Sequence, residues 1–194
     1  MKICFASHNK NKVKEMNGIM PDGISIVGLA ELGLTEDIAE TGSTLEENAT
    51  IKSSYVYQKH KSPVFADDSG LIVHALNGDP GVYSARYAGE ERDDQKNMDL
   101  LLKNLAGKND RSAEFRTVIS YIDEAGEIHE FTGKIEGKII EEKRGNNGFG
   151  YDPIFQPNGF DETFAELSSD IKNRISHRAK AVQKFLEYLH QINE

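Results

Sequence analysis

The chain has one cysteine, no long hydrophobic run and no excess of positive charge. A single thiol, Cys4, cannot form an internal disulfide or a zinc cluster, and its place in an apolar segment predicts a small core residue. No apolar stretch approaches the roughly 20 residues of a membrane span. The formal net charge of -9 argues against sequence-independent binding to nucleic acid or to an anionic membrane, because both require a basic face.

Low-complexity tracts, internal repeats and linkers are also absent from the sequence. A length of 194 residues, with 28% charged and 38% apolar residues, predicts one globular, soluble domain over residues 1–194. The first residues enter an apolar segment typical of a β-strand instead of a signal peptide, so we expect a cytoplasmic protein. The chain has no Gly-x-x-x-x-Gly-Lys-Ser/Thr pattern, which argues against a P-loop NTPase.

The spacing of apolar residues predicts strands and helices that alternate along the first half of the chain. Predicted strands cover residues 2–6, 63–66, 115–122 and 128–133, and predicted helices cover residues 9–20, 93–105 and 176–192. A further predicted helix, the second along the chain, starts at residues 43–46 and runs towards residue 61. A capping box formed by Ser43 and Glu46 is expected to start the second helix. Alternation followed by a hairpin indicates an α/β fold with a mixed sheet.

Two adjacent carboxylates, Asp67 and Asp68, follow the predicted strand 63–66 and precede Ser69. Ligands of α/β proteins collect at strand ends, and a hard cation such as Mg²⁺ is usually bound by one or two carboxylates together with substrate phosphates. A metal site is therefore one interpretation. A solvated turn between two strands explains the isolated motif equally well.

Residues 7–12 lie between the first predicted strand and the first predicted helix. Amides at the helix start, the hydroxyl of Ser7 and two lysines are able to converge there on an anion, although a capped, lysine-rich surface helix fits the same pattern. Glu40, before the second helix, and Lys52, two turns inside it, offer another carboxylate and another cation. Read alone, each of the two is also an ordinary surface residue.

Residues 145–152 combine glycines with two aromatic residues and an acid and lead into a strand-like exit at residues 153–155. This composition suits a purine base or, alternatively, a bend packed by core aromatics. Residues 171–178 are rich in basic groups. They place His177 and Arg178 in the first turn of the last helix, where the helix dipole disfavours positive charge. Such a local conflict indicates an electron-rich ligand.

Taken in order, these segments resemble the family of inosine/xanthosine triphosphate pyrophosphatases, which hydrolyse non-canonical purine nucleoside triphosphates. The resemblance covers nearly the whole chain. The motifs that carry it are Ser7-x-Asn9-x-x-Lys12, Glu46-Glu47-Asn48-Ala49, Ala66-Asp67-Asp68-Ser69-Gly70, the Pro-Gly-Val-Tyr-Ser-Ala-Arg-Tyr sequence of residues 80–87, the Gly-Phe-Gly-Tyr-Asp-Pro-Ile-Phe sequence of residues 148–155, and Ile175-Ser176-His177-Arg178. The first motif departs from the family, which usually has Thr-Gly-Asn where this chain has Ser-His-Asn.

The resemblance implies an elongated mixed β-sheet with flanking helices that form two lobes around a central cleft, and it implies a homodimer. It further implies that Glu40 and Asp68 hold Mg²⁺ and that Asp68 is the catalytic residue, acting as the base or orienting the attacking water. The residues implied to bind the triphosphate are Ser7, Asn9, Lys12, Lys52 and Ser69, with His8, Lys10 and Asn11 in the same anion-binding segment, and those implied to bind base and sugar are Phe149, Gly150, Tyr151, Asp152, Lys172, His177 and Arg178.

The reaction implied is Mg²⁺-dependent hydrolysis of ITP, dITP and XTP to the nucleoside monophosphate and pyrophosphate. Two alternatives stay open at this point. A Maf-type nucleotide pyrophosphatase would act on pyrimidine or methylated nucleotides, and a non-catalytic module would bind a triphosphate without turnover. The presence of Glu40 together with the Asp67-Asp68 pair favours a catalyst over the non-catalytic module.

Overall fold

The computed structural model describes residues 2–192. Helices alternate with strands along most of the chain. The elements are β1 (Lys2–Phe5), α1 (Lys10–Ile19), β2 (Ser25–Gly28), α2 (Leu45–His60), β3 (Val64–Val73), α3 (Asp94–Asn104), β4 (Ser112–Ile122), β5 (Ile128–Ile139), β6 (Phe155–Pro157), α4 (Ser169–Ile175) and α5 (His177–Ile192), with short 3₁₀ helices at His74–Leu76, Gly81–Arg86 and Asp152–Ile154.

The strands form one six-stranded sheet in the order β2-β1-β3-β4-β5-β6. Strand β1 is parallel to both β2 and β3, whereas β6 is antiparallel to β5. This mixed sheet with intervening helices confirms the predicted α/β class. The sequence pattern did not predict β2 or α4, and it indicated β6 only as a strand-like exit from the glycine-rich loop.

The chain divides into two compact units, each described here by itself. Unit 1 comprises the residues up to Asp68, Thr117–Gly133 and the residues from Arg178 onward, and unit 2 comprises Ser69–Arg116 and Lys134–His177. Strands β3, β4 and β5 therefore contribute residues to both units. Within the described part of the chain, none of the helices has the length and apolar character that a membrane crossing needs.

In unit 1, one core lies between the sheet and the helices α1 and α5. Ile3, Phe5 and Phe65 belong to it, together with Met16 of α1 and Phe185 of α5. The rings of Phe5 and Phe65 stack with their centroids 4.7 Å apart. Ile3 and Phe5 of β1 and Phe65 of β3, all at odd-numbered positions, thus face α1 and α5, as the two-residue period of a strand requires.

A second core of unit 1 lies on the other face of the same strands. Cys4, Val64 and Ala66 belong to it, together with Val56 of α2 and with Leu29, which follows β2. These are the even-numbered positions of β1 and β3, so the alternation is maintained along both strands. The prediction that Cys4 is a small buried residue is confirmed, because its exposed fraction is 8%.

Unit 2 has an aromatic core. Phe115 of β4 lies with its ring centroid 4.6 Å from that of Phe155 and 5.9 Å from that of Phe164. Met98 and Leu101 of α3 close the same cluster. This packing fixes α3, whose N-cap is Asp93, at the position that the sequence predicted for it.

Candidate active site

Asp67 and Asp68 lie inside strand β3, which runs from Val64 to Val73. The expectation that they follow a short strand is wrong, because β3 continues for five residues beyond Asp68. The neighbouring strand β1 does end near this point, since its last paired residue, Phe5, lies opposite Phe65. The two carboxylates therefore extend past the carboxyl end of β1, the kind of position where α/β sheets bind ligands. Ser69 follows directly and is half-buried.

The alternation of β3 separates the two carboxylates. Asp67 continues the odd-numbered face and contacts Lys12 of α1 and Arg178 of α5. Asp68 continues the even-numbered face and contacts Lys52 of α2. Adjacent residues of a strand point to opposite faces of the sheet, so the two acids have different partners.

Asp68 shares one ammonium with Glu40. The Nζ atom of Lys52 donates to Glu40 Oε1 at 2.7 Å and to Asp68 Oδ1 at 3.1 Å. The second oxygen of Asp68, Oδ2, is buried and accepts no hydrogen bond from any residue that the structure describes. A buried acceptor without a donor costs free energy unless a ligand satisfies it, which makes this oxygen a candidate ligand atom.

Both members of the buried pair have shifted pKa values. Burial raises the pKa of Asp68, and the nearby Lys52 offsets only part of this effect. Burial by itself lowers the pKa of Lys52, but the attraction of Asp68 and Glu40 outweighs it, so the pKa of Lys52 is raised. Lys52 therefore stays protonated at neutral pH, while Asp68 becomes a stronger base than an exposed aspartate.

The residues at this point fit a hard divalent cation. Glu40 and Asp68 supply carboxylate oxygens, the atoms that Mg²⁺ prefers, and a common contact to Lys52 keeps the two carboxylates close together. The buried oxygen Asp68 Oδ2 provides an available coordination position.

Asp67 forms a second buried charge cluster. Its side chain is fully buried, and it bonds Lys12 Nζ at 3.2 Å through Oδ1 and Arg178 Nε at 3.4 Å through Oδ2. Arg178 also contacts the carboxylate of Glu15 on α1 and is only 2% exposed. Burial alone raises the pKa of Asp67, but the attraction of Lys12 and Arg178 outweighs it and holds the pKa well below the usual range.

The start of α1 carries the predicted anion-binding segment. Asn9 is its N-cap, and Asn9 Oδ1 accepts from the amides of Asn11 at 3.0 Å and Lys12 at 3.2 Å. These two amides are therefore occupied, contrary to the expectation of exposed donors. Ser7 Oγ accepts from the Asn9 amide.

The remaining groups of this segment are solvent-exposed side chains, His8, Lys10 and Asn11. Lys12 is different because it points inward to Asp67 and its side chain is only 15% exposed. Burial lowers the pKa of Lys12, with the attraction of Asp67 partly opposing it. An incoming polyanion would compensate this desolvated ammonium.

In unit 2, the glycine-rich loop wraps around Asp152. Asp152 Oδ2 accepts from the amide of Phe149 at 3.0 Å and from Lys172 Nζ at 2.6 Å. A side chain at Gly148 would place its Cβ 2.0 Å from the same oxygen, and the φ angle of +75° also favours glycine. Lys172 Nζ lies 5.2 Å from the centroid of the half-buried Phe149 ring, within cation–π range.

The other predicted base-binding residues of unit 2 are anchored by neighbours. Tyr151 is 4% exposed and donates its hydroxyl to the carbonyl of Ser84, so its ring belongs to the core. The His177 ring stacks on Phe115, with centroids 4.8 Å apart and an interplanar angle of 12°. The Gly150 amide donates to Asp94 Oδ2 at 2.8 Å. Phe149 is partly exposed, whereas Tyr151 of the same loop is buried.

Two supporting acids were missed by the sequence reasoning. Glu15 lies one turn after Lys12 on α1, and that spacing is the only sequence signal for it. Asp94 carries no local signal, because the first turn of a helix favours acids whatever their tertiary contacts.

The chain is similar to curated proteins over nearly its full length. It is 52% identical over 189 residues to a dITP/XTP pyrophosphatase of Flavobacterium johnsoniae, which covers 97% of this chain and 98% of that protein. It is 50% identical over 188 residues to a dITP/XTP pyrophosphatase of Bacillus subtilis, with 95% of each chain covered.

Solved structures agree with these relatives. The Ham1 protein of Staphylococcus aureus matches with a TM-score of 0.89 and 44% identity, and a HAM1 protein of Coxiella burnetii matches with a TM-score of 0.90 and 41% identity. Each match covers 98% of this chain and 99% of the solved chain. The model of the Ham1 family matches residues 3–188. The chain therefore belongs to the Ham1 family.

Proposed function

We propose that this protein hydrolyses the non-canonical purine nucleoside triphosphates ITP, dITP and XTP to the nucleoside monophosphate and pyrophosphate. The observation that carries the proposal is the buried arrangement of Glu40, Lys52 and Asp68, with one oxygen of Asp68 left for a ligand. The names of the relatives, dITP/XTP pyrophosphatases, support the same substrates.

The triphosphate is proposed to bind beside Lys12 and Lys52 of unit 1. Lys12 and Lys52 neutralise its charge, while Ser7, Asn9 and Ser69 orient its oxygens. The exposed residues of the same segment, His8, Lys10 and Asn11, surround the entering phosphate. Lys12 supports this role because burial lowers the pKa of Lys12, so an anion beside it stabilises the charged form.

Glu40 and Asp68 are proposed to hold Mg²⁺. When bound, the ion polarises the phosphoryl oxygens and neutralises the charge that develops on the leaving pyrophosphate. Lys52 donates to both carboxylates, so their positions relative to each other do not depend on the ion alone. Each carboxylate oxygen offers two lone pairs, so Asp68 keeps acceptor capacity beside its bond to Lys52.

Asp68 is proposed to act as the base. Water attacks the α-phosphorus, its proton passes to Asp68, and the bond between the α-phosphorus and the pyrophosphate oxygen breaks. An ionised carboxylate is an acceptor and is able to take that proton. No covalent intermediate is required. Positioning and charge stabilisation supply the rate.

The base and sugar are proposed to bind at the loop of unit 2. Phe149 offers a ring face, and the ammonium of Lys172, which already donates to Asp152, carries N–H donors and no acceptor. Such donors favour the 6-oxo group of hypoxanthine and xanthine over the 6-amino group of adenine. Gly150, Tyr151, Asp152 and His177 shape this loop.

Arg178, a residue of unit 1, also has a role in the proposed function. The resemblance implies a contact between Arg178 and the base, and that contact stays a prediction. In this structure its guanidinium bonds Asp67 and Glu15, so we assign it the additional task of fixing Asp67 and, through Asp67, Lys12.

We further propose that the protein is a cytoplasmic homodimer without a nucleic-acid or membrane partner. The net charge of -9 supports the absence of a polyanionic partner. Size-exclusion chromatography with light scattering measures the oligomeric state directly.

Hydrolysis in ¹⁸O-labelled water tests the chemistry. The proposal predicts that one labelled oxygen appears in IMP and none in pyrophosphate when ITP and Mg²⁺ are supplied. Label in pyrophosphate would show attack at the β-phosphorus, and release of IDP with orthophosphate would contradict the proposed reaction altogether.

A further inference from the structure

Asn48 holds the loop that carries Glu40. The Asn48 side chain is fully buried, and its Oδ1 atom accepts from the amide of Gly42 at 2.8 Å. Asn48 lies one helical turn before Lys52 on α2, so both side chains project from the same face of that helix. Lys52 contacts Glu40 and Asn48 contacts Gly42, two residues further along the loop.

The loop approaches α2 so closely that only glycine fits at position 42. A Cβ atom there would lie 2.6 Å from Glu47 Cβ and 2.7 Å from Asn48 Oδ1. The carboxylate of Glu47 accepts from both the amide and the hydroxyl of Ser43, at 2.6 and 2.9 Å. Successive loop residues are thus fixed by successive residues of the first turns of α2.

Asn48 is an unfavourable choice for packing alone. Its Nδ2 atom is buried and has no hydrogen-bond partner among the residues that the structure describes. Burying an unsatisfied donor is destabilising, so an apolar side chain of similar size would pack into the same space at less cost. The benefit that offsets this cost is the hydrogen bond to Gly42.

We propose that Asn48 is a positioning residue that holds Glu40 in place through Gly42, so that the carboxylates of Glu40 and Asp68 are placed for one divalent cation. This inference rests on the proposed function, because it takes Glu40 as a metal ligand. It assigns a role to the Asn of the Glu-Glu-Asn-Ala motif, which the proposed chemistry leaves unused.

The test measures Mn²⁺ binding to the full chain by electron paramagnetic resonance, without nucleotide. Asn48→Leu keeps the branch at Cγ and the number of side-chain heavy atoms but removes the acceptor. It should weaken Mn²⁺ binding about tenfold, the factor expected from one hydrogen bond of typical strength. The matched control is Ser53→Ala. Ser53 is also fully buried on α2, but it bonds Ser120 and not the loop, so its loss should change binding by less than about twofold.

A double-mutant cycle with Glu40→Gln identifies the route. If Asn48 acts through Glu40, Asn48→Leu changes Mn²⁺ binding by less than about twofold in the Glu40→Gln background. If the two substitutions together weaken Mn²⁺ binding by the product of their separate factors, Asn48 does not act through Glu40. That result would overturn the positioning role while leaving Glu40 as a ligand. If Glu40→Gln itself left Mn²⁺ binding unchanged, the metal assignment of the proposed function and this inference would fail together.

A second variant and a second readout guard against misfolding. Gly42→Ala displaces the loop without altering Asn48 and should weaken Mn²⁺ binding in the same direction. Amide hydrogen exchange, followed by NMR in the metal-free protein, should show the Gly42 amide protected in the wild type and exposed in Asn48→Leu. Wild-type protection of that amide in Asn48→Leu would overturn the proposal.

Discussion

Asp67 and Asp68 are consecutive residues of one strand, yet their carboxylates face opposite sides of the sheet and contact different helices. Asp67 lies between Lys12 of α1 and Arg178 of α5, whereas Asp68 meets Lys52 of α2. The period of the strand therefore gives the two acids different tasks. Both carboxylate oxygens of Asp67 bond cationic side chains, whereas Asp68 keeps one oxygen for a ligand.

Asp68→Asn should abolish turnover without harming the fold. The variant removes the proposed base, so kcat should fall by at least about 10³-fold. The pKa of Asp68 is raised in the folded state, so its stabilising contribution is present at low pH and is lost as the pH rises through that raised pKa. The asparagine of this variant carries no buried charge and Lys52 keeps Glu40 as a partner, so the melting temperature at pH 7 should stay close to that of the wild type. A variant with near-normal kcat would refute the assignment.

Asp67→Asn should have the opposite effect on stability. Removing this carboxylate leaves two buried cations without their common partner, which should lower the free energy of unfolding by about 3 kcal/mol. Urea unfolding at pH 7 measures it. The exposed Asp22→Asn is the control and should stay within about 0.5 kcal/mol of the wild type. Equal stability of the two variants would contradict the buried cluster.

Phe149→Ala should weaken nucleotide binding more than it slows the reaction. The lost ring face should raise KM for ITP about tenfold, with a smaller change in kcat. Phe149→Tyr keeps the ring and should stay near the wild-type KM. Steady-state kinetics on the three proteins decides the matter, and an unchanged KM in Phe149→Ala would place the base elsewhere.

Cys4 should be unreactive in the native protein. Burial raises the pKa of its thiol to about 11, so little thiolate exists at pH 8. Alkylation by iodoacetamide at pH 8 should be at least about 10²-fold slower than in the urea-unfolded chain, whose thiol pKa is about 8.5. The native rate should rise as the pH approaches 11. Similar native and unfolded rates at pH 8 would show that the core of unit 1 opens readily.

Local signals in the sequence were sufficient for several elements. The cap residues Asn9 and Asp93 mark the starts of α1 and α3 where the structure has them. The capping box of α2 was placed one residue early, since Thr44 is the N-cap and Glu47, not Glu46, reaches back to the loop. Neighbouring residues of equal capping ability make that register ambiguous.

Tertiary contacts explain what the sequence could not predict. Arg178 bonds Asp67 and Glu15, which lie 111 and 163 positions away along the chain, and no local pattern encodes such pairs. The extent of β3 was also missed, because two aspartates are poor strand formers and only the cations on both faces make their burial tolerable. The bond from the Tyr151 hydroxyl to the carbonyl of Ser84 also spans 67 positions, and the contact of Tyr151 with the base stays a prediction.

The proposed preference for non-canonical purines is tested by the ratio of the kcat/KM values for ITP, XTP, GTP and ATP, each measured as pyrophosphate release in the presence of Mg²⁺. We expect rapid release from ITP and XTP, and a kcat/KM for ATP lower by about 10⁴-fold, because the 6-amino group of adenine does not accept the hydrogen bond that a 6-oxo group accepts. Comparable turnover of ATP and ITP, or a preference for pyrimidine or methylated nucleotides when these are added to the panel, would contradict it.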